Sequence, residues 1–138
     1  MQGAKPRIES GDDLRNSNIY PVNGRADAMR ARFLNHVAKE FFPKYGIELV
    51  AVFTPQDVSD GRLIYITRFS SEGHRASAWK AFSGDPDWAA IKKASETEGP
   101  LLESQQINIL TSAMAGLADG HQMINIMQND ALRQRSSE

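Results

Sequence analysis

The sequence predicts an α+β fold in which a four-stranded antiparallel sheet carries its helices on one face. Three observations lead to it. Runs of β-forming residues and stretches of helical periodicity follow one another in the order β-α-β-β-α-β. The two middle strands are joined by a connection too short for a parallel crossover, so they form an antiparallel hairpin. Two such split units, each right-handed, resolve into the ferredoxin-like arrangement.

Residues 14–22 mix Ile19, Tyr20 and Val22 with Asn16 and Asn18 and predict the first strand. Asn23 is placed to cap a helix running to about Tyr45, because Ala26, Met29, Phe33, Val37 and Phe41 recur at spacings of three and four. Gly46 stands where a C-terminal cap belongs, and Pro43 disturbs the last turn. Residues 47–54 and 62–69 are the middle strands, separated by a loop that ends in Asp60-Gly61. Ser70 or Ser71 caps a second helix carrying Trp79 and Phe82. Gly84 breaks it, and Asp85-Pro86 starts another helix with a capping side chain followed by a first-turn proline. That piece stops by Gly99-Pro100, and residues 101–110 are the last strand. The chain thus divides into an arm (1–13), one domain (14–112) and an extension (113–138). In the extension Met123, Met127 and Ala131 outline a short amphipathic helix before a disordered end.

Composition narrows the function. At 138 residues the chain suffices for one core without disulfides or metal. A net charge of −1, with no basic run, argues against nucleic acid or an anionic membrane as partner. With no cysteine there is no thiolate chemistry and no Fe–S cluster. No apolar run approaches the roughly 18–20 residues of a membrane span, and no secretory leader is visible. A cytoplasmic protein is expected.

The two middle strands are apolar on both faces. Val50 and Val52 lie on one parity with Ile47, Leu49, Ala51 and Phe53 on the other, and Ile64 and Ile66 oppose Leu63, Tyr65 and Phe69. Helices cover one face only, so the other requires a second sheet, and self-pairing into a homodimer is the expected source. The competing arrangement folds the C-terminal segment over that face.

One stretch carries a family resemblance. Arg75-Ala76-Ser77-Ala78-Trp79-Lys80-Ala81-Phe82, followed by Asp85-Pro86-Asp87-Trp88, is similar to the R-x-x-A-W-x-A-F…D-P-x-W segment of the NIPSNAP family. Arg32-Phe33, Tyr45-Gly46-Ile47 and residues 63–69 add weaker matches, and the resemblance spans residues 14–111. Asn23-Gly24-Arg25 departs from the family's Pro-Gly-Lys turn. The resemblance implies a dimeric α/β barrel, two ferredoxin-like protomers packed sheet to sheet around a cavity. It implies no fixed reaction, since the wider superfamily holds cofactor-free monooxygenases, isomerases, dehydratases and haem-handling enzymes.

Candidate site residues come from strand faces. Asn16, Asn18 and Tyr20 share one parity, as do Tyr65 and Thr67, and Ser104, Gln106 and Asn108. If these rows line the space between sheets they supply an apolar cavity with fixed hydrogen-bonding groups; if they face solvent they signify solubility. The expected ligand-binding set is Asn18, Tyr20, Thr67, Gln106 and Asn108, with His36 and Tyr65 as catalytic candidates. His36 lies off the apolar stripe of its helix, and a histidine can act as acid or base near neutral pH, although a solvated or surface-paired histidine is the simpler account. Trp79, Phe82 and Trp88 have the spacing of core packing rather than of a ligand box. No metal spacing, phosphate loop or nucleophile elbow is present, so no cofactor is expected. The leading expectation is a dimer binding an apolar or aromatic small molecule, with or without cofactor-independent catalysis. The alternatives are a non-catalytic scaffold and a haem binder using His36 or His74.

Overall fold

The computed structural model describes residue 8, residues 11–111 and residue 113. The arm's first residues and the helix expected around Met123, Met127 and Ala131 lie outside the described residues. Strand β1 spans Asp13–Pro21 and leads through a turn into helix α1, residues 26–44. The hairpin β2 (Glu48–Phe53) and β3 (Leu63–Phe69) follows, then α2 (Glu72–Ser83), α3 (Pro86–Ser95) and β4 (Leu102–Leu110). The strands lie in the order β2-β3-β1-β4, with every pair antiparallel, so the expected ferredoxin-like topology is the one observed.

Local chemistry explains most element ends. Ser71 accepts a hydrogen bond from the His74 N–H and caps α2. Asp85 caps α3 by accepting from the Asp87 and Trp88 N–H groups at 2.7 and 3.3 Å, with Pro86 following it. Gly46, at φ +69°, turns the chain out of α1, as only glycine does without strain.

Three expectations change. The cap of α1 is not Asn23: residues 23–25 form a turn with Gly24 at φ +82°, and Arg25 stands at the N-cap with no side-chain bond. The polar dipeptide favours that turn over a cap. Within α1, Ala26–Arg32 and Phe42–Lys44 are α-helical, while Phe33–Phe41 are wound as a π-helix. Pro43 cannot donate to Lys39, and in α geometry its ring would strike that carbonyl. The wider turns before it, with the Phe42 N–H bonded to the Val37 carbonyl, relieve the conflict and still keep Phe33, Val37 and Phe41 buried. In β2 the register shifts between Leu49 and Ala51. Leu49 pairs with Thr67 and Val52 with Tyr65, so both face the helices, while Ala51 and Phe53 face away. The bulge therefore breaks the simple parity that placed Leu49, Ala51 and Phe53 on one face.

The core lies between the helices and β1, β2 and β3. Phe42 is its centre, with ring centroids 5.9 Å from Phe33, 6.0 Å from Tyr65, 6.1 Å from Trp79 and 5.9 Å from Phe82. Each such ring removed from water contributes about 1.5–3 kcal/mol. The helices are pinned to one another by Asp85, whose side chain is 1% exposed. Besides capping α3, it accepts from Lys44 Nζ at 2.7 Å and from the Tyr45 hydroxyl, both at the end of α1. The Lys44 and Tyr45 bonds hold its carboxyl far below the usual carboxylate range.

Gly61 sits at φ +77°, and a Cβ there would lie 2.7 Å from Ala26 Cβ and 3.1 Å from Pro21 Cγ. Gly61→Ala should lower stability by about 1–3 kcal/mol in urea unfolding, from strain and collision together. Asp85→Asn keeps the shape but loses the charge. Because the folded pKa lies below the unfolded one, Asp85 stabilises fully above about pH 4 and loses that contribution as pH falls through its folded value. The gap in urea midpoint between wild type and Asp85→Asn should thus be widest near neutrality and narrow steadily below about pH 4.

Candidate functional site

Strand register assigns each candidate residue to a face. Ser17 opposes Tyr65, and Arg15 opposes Thr67, on the helix-facing side. On the open side Asn16 opposes Asn108, Asn18 opposes Gln106 and Tyr20 opposes Ser104. The expected polar rows of β1 and β4 therefore meet as one strip, with Asn18 Nδ2 3.4 Å from Asn16 Oδ1. Next to it on the open side run Ile64, Ile66 and Phe53, the last 52% exposed. Tyr65 and Thr67 are buried on the opposite side and do not join that strip.

The helix-facing side holds two adjoining clefts. One, of about 100 Å³, is walled by Phe33, Val37, Tyr65, Trp79 and Trp88. The other, of about 50 Å³, has Ser17, Tyr65 and Thr67 among its lining residues, with Trp79 and Ile107 as apolar wall. Tyr65 and Trp79 line both. Burial pushes the Tyr65 phenol above its ordinary pKa, with a hydrogen bond to Ser17 acting the other way. At neutral pH it is a protonated donor, suited to hold or supply a proton rather than to take one.

The half-buried Arg15 and Arg75 stand at the second cleft, each engaged by carboxylates. Arg15 binds Asp13 (2.8 and 3.1 Å) and Glu72 (2.8 Å), while Arg75 binds Glu72 through Nε (3.0 Å) and Nη2 (2.9 Å). The side-chain bonds from Arg75 hold the Glu72 carboxyl at about 2. Two positive and two negative groups leave this corner close to neutral.

His36 is placed elsewhere. It lines an open groove of about 500 Å³ between α1 and α3, together with Asn35 and Ile91. Its Nδ1 is 3.9 Å from Glu40 Oε1, and its side chain is 42% exposed. His74 is a local partner of Ser70, with Nδ1 3.2 Å from its hydroxyl, and packs edge-on to Phe69. Among the described residues no group of three or more His, Asp or Glu could hold a metal, and no helix is long and apolar enough to cross a membrane. Of the residues expected in a site, Tyr65 and Thr67 line the second cleft, beside Ser17, Arg15 and Arg75, which the sequence did not group with them; register sets Ser17 and Arg15 opposite Tyr65 and Thr67, and Arg75 comes from α2. Trp79, read as core, is half-buried and lines the clefts as well.

Residues 22–115 match the NIPSNAP family profile. The chain belongs to the NIPSNAP family. Among solved structures, a NIPSNAP domain protein from Burkholderia xenovorans superposes with a TM-score of 0.62 at 15% identity, covering 77% of this chain and 97% of that one. A NIPSNAP family protein of unknown function from Agrobacterium tumefaciens gives 0.62 at 19% identity, covering 81% and 99%. SnoaB, a cofactor-independent oxygenase from Streptomyces nogalater, gives 0.52 at 12% identity, covering 79% and 100%. At these identities the likenesses show the NIPSNAP fold alone. A search of curated protein sequences gives no match.

The carboxylate network gives a direct test. The Glu72 carboxyl should titrate near 2 by carbon NMR in the wild type. In Arg75→Gln its midpoint should move up toward the ordinary glutamate value of about 4.3.

Proposed function

We propose that this NIPSNAP chain is a small-molecule-binding protein that works as a pair and holds an apolar or aromatic ligand on the helix-facing side of the sheet, at Tyr65 and Trp79. The observation that carries the reading is that two clefts share Tyr65 and Trp79, one of them lined also by Ser17 and Thr67, with aromatic and aliphatic side chains around both. Few convergent polar groups in an apolar lining are what small-molecule sites present. Both clefts are smaller than the several hundred Å³ of drug-sized sites. The ligand is therefore a compact molecule, or one that displaces the half-buried Trp79 and merges the two spaces.

Chemistry at this site rests on Tyr65, which donates to an oxygen of the ligand while Ser17 and Thr67 orient it. A cofactor-independent reaction of the kind named for SnoaB accords with that set, as a protonated phenol assists charge developing on a carbonyl or phenolate oxygen. The strip formed by Asn18, Tyr20, Gln106 and Asn108 serves sheet-to-sheet pairing, since Ile64, Ile66 and Phe53 lie on the same face and need cover. His36, on the far side of α1, takes no part in the ligand site. The absence of cysteine suits a reducing cytoplasm.

A thermal-shift screen against compact aromatic and aliphatic acids, ketones and phenols tests the ligand reading. Ligands that raise the melting temperature of the wild type should do so at least tenfold less potently in Tyr65→Phe or Trp79→Ala. Unchanged potency in both variants would place the ligand elsewhere. Light scattering should give the mass of a dimer for the wild type and of a monomer for Ile66→Asp, which sets a charge in the apolar strip.

A further inference from the structure

Beside the second cleft two guanidinium groups converge on one carboxylate. Arg75 donates to Glu72 through Nε at 3.0 Å and Nη2 at 2.9 Å, and Arg15 adds its Nη2 at 2.8 Å. Paired donors of this kind recognise a planar acid group. The three residues differ in burial: the Arg15 side chain is 16% and that of Arg75 24% exposed, against 63% for Glu72. Both arginines line the cleft at Ser17 and Thr67, whereas Glu72 is not among its lining residues.

The arginines also differ in what else holds them. Arg15 has a second partner in Asp13, bonded at 2.8 and 3.1 Å and two residues away in the same strand. Among the described residues Arg75 has Glu72 as its one carboxylate partner. A carboxylate this exposed is held weakly, because water competes for it and its side chain gains freedom when released. Its departure leaves the Arg75 guanidinium without a counter-charge at the cleft, with Arg15 next to it. An incoming carboxylate restores the balance of two positive and two negative groups. Arg75 and Trp79 are four residues apart in α2 and so share a face, which directs a molecule held at Arg75 toward the indole. Ile107, opposite Ser17 in the strand register, supplies the facing wall.

We propose that the ligand of this cleft is a compact carboxylic acid, whose carboxylate replaces that of Glu72 between Arg75 and Arg15 and whose apolar body lies against Trp79 and Ile107. The assignment rests on the ligand site proposed at Tyr65 and Trp79 and names its ligand class. Glu72 is a resident stand-in for the acid and competes with it. A neutral ketone or amide is the poorer occupant, since displacing Glu72 with it leaves a half-buried cation unpaired.

Calorimetric titration with matched probes tests this: benzoate, phenylacetate and hexanoate, each against its primary amide. At least one acid should bind the wild type about tenfold tighter than its amide, the usual scale of a charge-assisted hydrogen-bonded pair. Glu72→Ala removes the competitor and should tighten that acid several-fold while leaving the amide unchanged; such a gain cannot come from a damaged fold. Arg75→Gln should abolish the preference for acid over amide, and Trp79→Ala should weaken the acid. Weaker acid binding in Glu72→Ala, or acid binding undiminished in Arg75→Gln or in Trp79→Ala, would overturn the proposal. Acids and amides that bind alike, and are both lost in Tyr65→Phe or Trp79→Ala, would overturn it while leaving the ligand site in place. Binding of no probe to either the wild type or Glu72→Ala would also overturn it, and would leave the site to the neutral ligands of the thermal-shift screen.

Discussion

Asp85 takes four hydrogen bonds: two from the backbone of its own helix, one from Lys44 and one from Tyr45. A carboxylate this buried is tolerable only when fully partnered, and here the partners come from two helices, α1 and α3. The end of α1 and the start of α3 are thereby held together, and the joint at Gly84 between α2 and α3 is fixed as a consequence. The aromatic packing around Phe42 and Phe82 depends on that placement. At the far end of α3, Arg32 makes the complementary tie, reaching Ser95 at 3.0 Å and Glu96 at 2.7 Å with its guanidinium 5.2 Å from the Trp88 ring. Two polar anchors, one at each end, orient α3 against α1.

The consequence is a helix layer that sits over three strands and leaves the fourth extended beyond it. Ser17, Tyr65 and Thr67 then lie where the cover thins out, near enough to Trp79 to be enclosed yet not filled by core side chains. Their neighbours Arg15 and Arg75 bring strong charge to the same corner, but Asp13 and Glu72 neutralise it. The cleft thus owes its polarity to Ser17, Tyr65 and Thr67 more than to net charge.

Much of the fold was legible residue by residue. The caps at Ser71 and Asp85, the turn-out at Gly46 and the stripe of Phe33, Val37 and Phe41 are local features, governed by backbone donors and helical period within a few residues. Where legibility failed, two local preferences competed. Asn23-Gly24 served a turn rather than a cap, Pro43 widened the turns before it, and the bulge after Leu49 reversed the parity of β2. A bulge inserts one residue, and one residue is enough to exchange the faces.

The candidate site shows the same division. Sequence by itself determined the element order, the membership of a βαββαβ fold, the caps of α2 and α3, and the fact that β3 is apolar on both faces, because each depends on residues close in the chain. Which polar row meets which was decided by the tertiary structure. Ser17 lies 48 positions from Tyr65 and pairs with it only through antiparallel register, as Asn18 does with Gln106. Register is set by the sum of long-range strand contacts and the bulges that interrupt them, and no short window of sequence contains that sum. For that reason Tyr65 and Thr67 were separable from Asn18, Tyr20, Gln106 and Asn108 only once the strands were laid side by side.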